Sequence, residues 1–292
     1  AVWDFGDYDE ASAGTYTITA ALDPETLASY LWEPDEALAV VVTVEPEAVL
    51  FVSNDPNAEA FAEVRTLWNT YLAGGLTDTS DQDIQAYITK IDNAAQTHYS
   101  TLIKEANRTQ EPYLLWEDLT MNPGYNGAKV YGAKDTSVPA RQEFNTVGSA
   151  FERLLDIAEA YSINGCVYYQ DADVLSELLS AYDLLNERYY NENSTLYGNW
   201  YTWEIGIPQR FLKALLLLGD KVPQEKLAIY LSAVSRYVPA DNKRGATTGI
   251  LTSPSTRTGA NLLDKAASSA MIAALNPDSE RMNQCAADVK TV

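Results

Sequence analysis

The segment Asn199-Trp200-Tyr201-Thr202-Trp203-Glu204-Ile205-Gly206-Ile207-Pro208 brings aromatics, an amide and a carboxylate together. That mixture suits a grip on a sugar ring. An aromatic face stacks against the ring's C–H face, and neighbouring polar groups fix its hydroxyls. Trp200, Tyr201 and Trp203 are candidate stacking residues; core packing is the other reading for each. Asn199 is either a hydroxyl partner or a loop-forming residue. Glu204 reads as an acceptor for backbone N–H groups at the turn rather than as a catalytic acid. A second uncommon string, Thr258-Gly259-Ala260-Asn261, opens a helical pattern. The Asn261 amide carries two N–H donors, and helix capping is one use for such a residue.

The two strings together resemble the signature of polysaccharide lyase family 8, the hyaluronate, chondroitin, xanthan and mannuronan lyases. The usual pattern there is Asn-Trp-Trp-Asp-Trp/Tyr-Glu-Ile-Gly-x-Pro, followed later by Thr-Gly-Ala-Asn. The resemblance implies a carbon–oxygen lyase that cleaves a uronic-acid polysaccharide by β-elimination, with no required cofactor. A base takes the C5 proton and the C4–O bond breaks. The uronate carboxylate resists the growing negative charge, so donors must neutralise it. By resemblance Asn261 has that catalytic role, Trp200 and Tyr201 form the aromatic patch, and Trp203 holds the position before Glu-Ile-Gly. Thr202 stands where the family commonly has Asp, and Leu262 where it often has Arg. The family's catalytic His and Tyr follow Thr-Gly-Ala-Asn by some tens of residues, beyond Val292. The remaining segment of the same enzyme, carrying His, Tyr and Arg, is therefore an expected partner, beside the acidic polysaccharide itself. His98 is the one histidine; it lies far upstream of the motif and reads as ordinary helix.

A net charge of −21 over 292 residues argues against a nucleic-acid groove. No Lys or Arg precedes Arg65, while Asp and Glu are frequent there. A solvated acidic face is the plain reading. Structural calcium at Asp4, Asp7, Asp9 and Glu10 is the sharper one, although their spacing is not that of an EF-hand loop. No apolar run reaches membrane-span length, so no membrane partner is expected. Asn107-Arg108-Thr109 and Asn193-Ser194-Thr195 have the form of glycosylation acceptors at Asn107 and Asn193. With a start at Ala1 and no signal-like segment, they favour a mature secreted protein. Cys166 and Cys285 read equally as one disulfide or two buried thiols. Neither sits in a metal-ligand pattern.

These motifs must be held by a mainly α fold. Residues 1–57 form a small β-rich acidic segment, with strands expected at Gly14–Leu22 and Leu38–Val52. Residues 58–292 form the α/α domain. Helical patterns run from Phe61 to a stop at Gly74-Gly75, then over Ser80–Ala106, Glu143–Tyr161, Ala172–Tyr190, Pro208–Leu218, Gln224–Tyr237, Gly259–Leu275 and Ser279–Val289. Short joints between most of them predict an incomplete (α/α) toroid of antiparallel helix pairs. Arg108–Ala140 is a long loop carrying Trp116-Glu117-Asp118-Leu119. Two other functions fit the residues: a glycoside hydrolase pairing Glu204 with Asp118 or Asp264, and a carbohydrate-binding protein without catalysis.

Overall fold

The computed structural model describes residues 2–4, 14–21, 38–44, 54–75, 79–108, 114–119, 138–194, 199–240, 243–244 and 255–292. The chain divides into two compact units, Ala1–Leu50 and Phe51–Val292. The first unit contains an antiparallel sheet of order β1-β2-β3, with β1 at Val2–Asp4, β2 at Gly14–Ala21 and β3 at Leu38–Val44. Its register pairs Tyr16 with Val42 and Ile18 with Val40. β-Branched residues dominate both long strands, as a pleated surface favours. The expected continuation of β3 to Val52 and the calcium candidates Asp7, Asp9 and Glu10 lie outside the described residues.

The second unit holds helices α1 (Ala58–Ala73), α2 (Gln82–Thr101), α3 (Val138–Ser162), α4 (Ala172–Arg188), α5 (Ile207–Leu218), α6 (Gln224–Tyr237), α7 (Gly259–Leu275) and α8 (Ser279–Val289). Local chemistry sets their ends. Asp81 caps α2 by accepting from the Asp83 and Ile84 N–H groups at 2.8 and 3.3 Å. Asp171 does the same for α4 through Asp173 and Val174, at 2.9 and 3.1 Å. Each satisfies donors that the first helical turn leaves open. Gly74 ends α1 in the left-handed region, at φ 78°. Helix α3 starts ahead of the expected Glu143 because Pro139 falls in its first turn, where a missing N–H costs nothing.

Packing sorts the helices into two layers. Helix α3 packs on α5, α5 on α7, and α1 on both α5 and α7; α2 and α4 pack on α3, α6 on α4 and α5, and α8 on α7. The odd-numbered helices thus form an inner layer and the even-numbered ones an outer layer, which is the (α/α) toroid arrangement read from the sequence. Burial is deepest in α5. Nine of the 12 residues of α5 are buried, against three of the 11 in α8. An apolar helix such as α5 needs neighbours on every side, so it goes to the centre. Rings from four helices meet there: Phe211 stacks on Tyr182 at 4.9 Å and touches Phe151 at 5.0 Å and Tyr230 at 5.1 Å.

Cys166 and Cys285 are free, buried thiols, which corrects the disulfide reading. Cys166 packs in a side cluster with Ile88, Ile91 and Ile163, while Cys285 belongs to α8. Burial, reinforced by Asp92, pushes the Cys166 thiol up to about 12. Among the described residues no group of three or more His, Cys, Asp and Glu side chains is placed to hold a metal ion, and no helix is long and apolar enough to cross a membrane.

Candidate functional site

The aromatic segment enters α5 through a widened turn. Thr202–Gly206 is π-helical, and the Ile207 N–H reaches back five residues to the Thr202 carbonyl. Such turns commonly mark functional sites because they re-aim the side chains around them. Here the sequence forces an accommodation. The next donor in the same pattern would belong to Pro208, which has no N–H. The buried Tyr190 hydroxyl donates to the Trp203 carbonyl instead, at 3.0 Å. Burial holds the Tyr190 pKa well above the ordinary tyrosine value, so the hydroxyl keeps the proton it donates. Helix α3 approaches the turn closely at Gly148. A Cβ there would stand 3.0 Å from the Thr202 methyl, so a larger side chain would push the turn outward.

The turn buries some of its side chains and presents others. Trp203 is 1 % exposed and packs against the rings of Tyr190 (5.8 Å, stacked) and Tyr237 (5.6 Å), which stack on each other at 4.5 Å. It belongs to the core, which corrects its reading as a sugar contact: a side chain sealed from solvent has no face for a ligand. Tyr201 is 43 % exposed. Trp200 is half-buried and meets Tyr201 edge-on at 5.9 Å. Asn199 is exposed, and its side-chain oxygen accepts the Tyr201 N–H at 3.1 Å. Its loop-forming role is therefore real, leaving the NH2 end of the amide as its donor group.

Arg257 connects the two motifs. It is 3 % exposed and donates to the Glu204 carboxylate, which is 2 % exposed. Its guanidinium lies over the Trp200 ring, 5.3 Å from the centroid. Glu204 thus has a guanidinium partner, a correction to the expectation of backbone N–H donors alone. Thr258 follows as the N-cap of α7, then Gly259 at φ 57°, a conformation that favours glycine. Thr258, Gly259, Ala260 and Asn261 are all exposed. The Asn261 amide is therefore open to solvent in the first turn of a helix, where the backbone N–H groups point outward and the dipole favours negative charge. Gln209 on α5 donates to Asp264 at 3.0 Å, fixing α7 one turn beyond Asn261. Leu262 is buried, so this position faces inward.

Other candidates lie elsewhere. His98 Nδ1 stands 3.0 Å from Asp156 on α3, and the Trp116 indole donates to the His98 carbonyl at 2.9 Å. Burial raises the Asp156 carboxyl above its ordinary value, although His98 opposes this. His98 lines a separate groove with Thr101, Lys104, Glu117, Asp118 and Arg153. Asp118 receives both Arg153 guanidinium N–H groups, at 2.8 and 2.5 Å. Glu204 and Asp118 are each committed to an arginine, so the paired-carboxylate arrangement of a hydrolase is not formed by them. Asn107 and Asn193 are exposed; the threonines of their triplets lie outside the described residues. Sequence reasoning missed Arg257. The position of Arg257, directly before Thr-Gly-Ala-Asn in a chain poor in cations, was the available signal.

The chain is 29 % identical to the hyaluronate lyase HylB of Enterococcus faecalis over 245 residues, 82 % of this chain and 22 % of that protein. It is 27 % identical to a Bacillus xanthan lyase over 191 residues, 65 % of this chain and 18 % of that protein. The fold is similar to that of the Paenibacillus xanthan lyase, with TM-score 0.63 and 24 % identity over 80 % of this chain and 19 % of that one. It is also similar to the Streptomyces coelicolor A3 chondroitin AC lyase solved in complex with chondroitin sulphate, with TM-score 0.61 and 21 % identity over 80 % of this chain and 27 % of that one. The chain spans about a fifth of the length of the curated relatives it matches. Residues 68–292 match the model of the N-terminal alpha-helical domain of polysaccharide lyase family 8, and the chain belongs to that family.

Proposed function

We propose that this chain forms the sugar-gripping part of a secreted lyase that cleaves a uronic-acid polysaccharide by β-elimination. Trp200 and Tyr201 offer stacking faces to the sugar. The Asn261 amide donates to the uronate carboxylate and stabilises the enolate that forms when the C5 proton leaves. A donor aimed where charge develops acts in the transition state, and losing one costs about 10²–10³ in rate. The base that takes the proton, a Tyr, and its His and Arg companions come from the remaining segment of the enzyme. Hyaluronan, chondroitin, xanthan and mannuronan are the candidate polymers. The first three are the substrates named for similar proteins. The exposed side chains of Asn107 and Asn193 fit glycosylation in a secreted protein.

The observation that carries this reading is the pairing of an open Asn261 amide with the Arg257–Trp200 contact four residues before it. The test is the full-length protein on a panel of uronate polymers, followed by the ultraviolet absorbance of the unsaturated C4=C5 product. Asn261→Ala is expected to lower kcat by about 100-fold with a small change in KM. Retention on an immobilised polymer without product formation would instead establish a binding protein.

A further inference from the structure

Arg257 is a full positive charge beside the sugar-stacking ring, yet it is too buried to meet a substrate. At 3 % exposure, with Glu204 at 2 %, the pair is sealed inside the protein. Its charges cancel locally, so it does not neutralise a uronate carboxylate at a distance. What the pair reaches is structural. Glu204 belongs to the π turn that follows Trp200. The Arg257 guanidinium covers one face of the Trp200 indole at 5.3 Å. The backbone of Arg257 leads through Thr258 into the turn that carries Asn261. One side chain therefore touches both halves of the site. A planar guanidinium can bind a carboxylate in its plane and lie flat on a ring at the same time, which an ammonium cannot do.

Resting on the lyase reading above, we propose that Arg257 is the positioning residue of this site. Held by Glu204, it fixes the inner face of Trp200 and, through its own backbone, the distance from that ring to the Asn261 amide. The outer face of Trp200 is then held ready for the sugar, and the carboxylate of the stacked uronate falls at Asn261. Arg257 acts through Trp200 and Asn261, not on the substrate.

The test uses Arg257→Lys in the full-length protein, which keeps the charge and removes the planar fork. Its expected effect is a rise in KM of about tenfold, equivalent to about 1.4 kcal/mol, the scale of one aromatic–cation contact. The rise should vanish when Trp200→Ala is already present, because the ring that Arg257 supports is gone. A spectroscopic arm reads the contact itself. With 5-fluorotryptophan incorporated, the ¹⁹F resonance lost in Trp200→Phe identifies Trp200, and Arg257→Lys is expected to shift that resonance. A KM effect of equal size in the presence and absence of Trp200 overturns the proposal, as does an unmoved Trp200 resonance. Should Arg257→Lys fail to fold, Glu204→Gln carries the same ¹⁹F test, and an unmoved resonance there is equally fatal. If the wild-type protein yields no unsaturated product from any polymer, the lyase reading falls and the role falls with it, while the ¹⁹F shift still reports whether the contact exists.

Discussion

Tyr190→Phe isolates one hydrogen bond in the architecture of the site. The substitution keeps the ring that stacks on Trp203 and on Tyr237, at 5.8 and 4.5 Å, and removes only the hydroxyl. That hydroxyl donates to the Trp203 carbonyl at 3.0 Å in a fully buried position. Depriving a buried carbonyl of its donor costs about 1–3 kcal/mol, more than the net worth of an ordinary hydrogen bond. The chain needs the hydroxyl because Pro208 cannot offer an N–H in the five-residue pattern of the turn. Pro208→Ala restores that N–H. A double-mutant cycle therefore separates this account from simple loss of packing. Alone, Tyr190→Phe should destabilise by about 1–3 kcal/mol; with Pro208→Ala present, the cost should fall by about 1 kcal/mol or more. Effects of Pro208→Ala on the unfolded chain cancel in the cycle. The measurement is urea unfolding followed by the helical circular dichroism signal of the four proteins. Additive costs within about 0.3 kcal/mol would refute the idea that Tyr190 replaces a donor missing from Pro208.

Two further outcomes follow from charges and thiols away from the site. Lys104 lies against the Tyr99 ring and donates to the Tyr99 carbonyl at 3.0 Å; burial lowers its pKa to about 8, opposed by Glu177. Between pH 8 and the ordinary lysine value near ~10.4, the unfolded chain binds more protons at this position than the folded one, so wild-type stability rises with pH across that window. Lys104→Met lacks this gain. Its stability relative to wild type should therefore fall from pH 7.5 to pH 10, by on the order of 1 kcal/mol after solvent screening; a flat difference in urea midpoints would contradict it. Cys166, with its thiol pushed up to about 12 by burial, should resist alkylation by iodoacetamide at pH 8 in the native protein and react fully in denaturant. Rapid native labelling, read by mass spectrometry, would overturn that placement.

Helix existence was largely legible in the sequence. Three of the expected spans, Gln224–Tyr237, Gly259–Leu275 and Ser279–Val289, agree with the structure to the residue. Apolar spacing, aspartate caps and a terminal glycine are local signals, and they fix helices locally. The motif strings likewise carried the resemblance to polysaccharide lyase family 8 before any fold was known. What neither pattern nor composition decided was the direction in which each motif residue points. Trp200 and Trp203 are the same residue type three positions apart. The widened turn leaves one half-exposed and seals the other in the core against Tyr190 and Tyr237. Glu204 and Asp118 looked like available carboxylates until Arg257 and Arg153, 53 and 35 residues away in sequence, claimed them. Cys166 and Cys285 kept two readings until the fold left both as free, buried thiols. Local pattern in the chain was enough to set most of the helices and the family they belong to. Which side chains stay open and which are buried or paired was set by folding, because burial and charge pairing depend on neighbours distant in sequence.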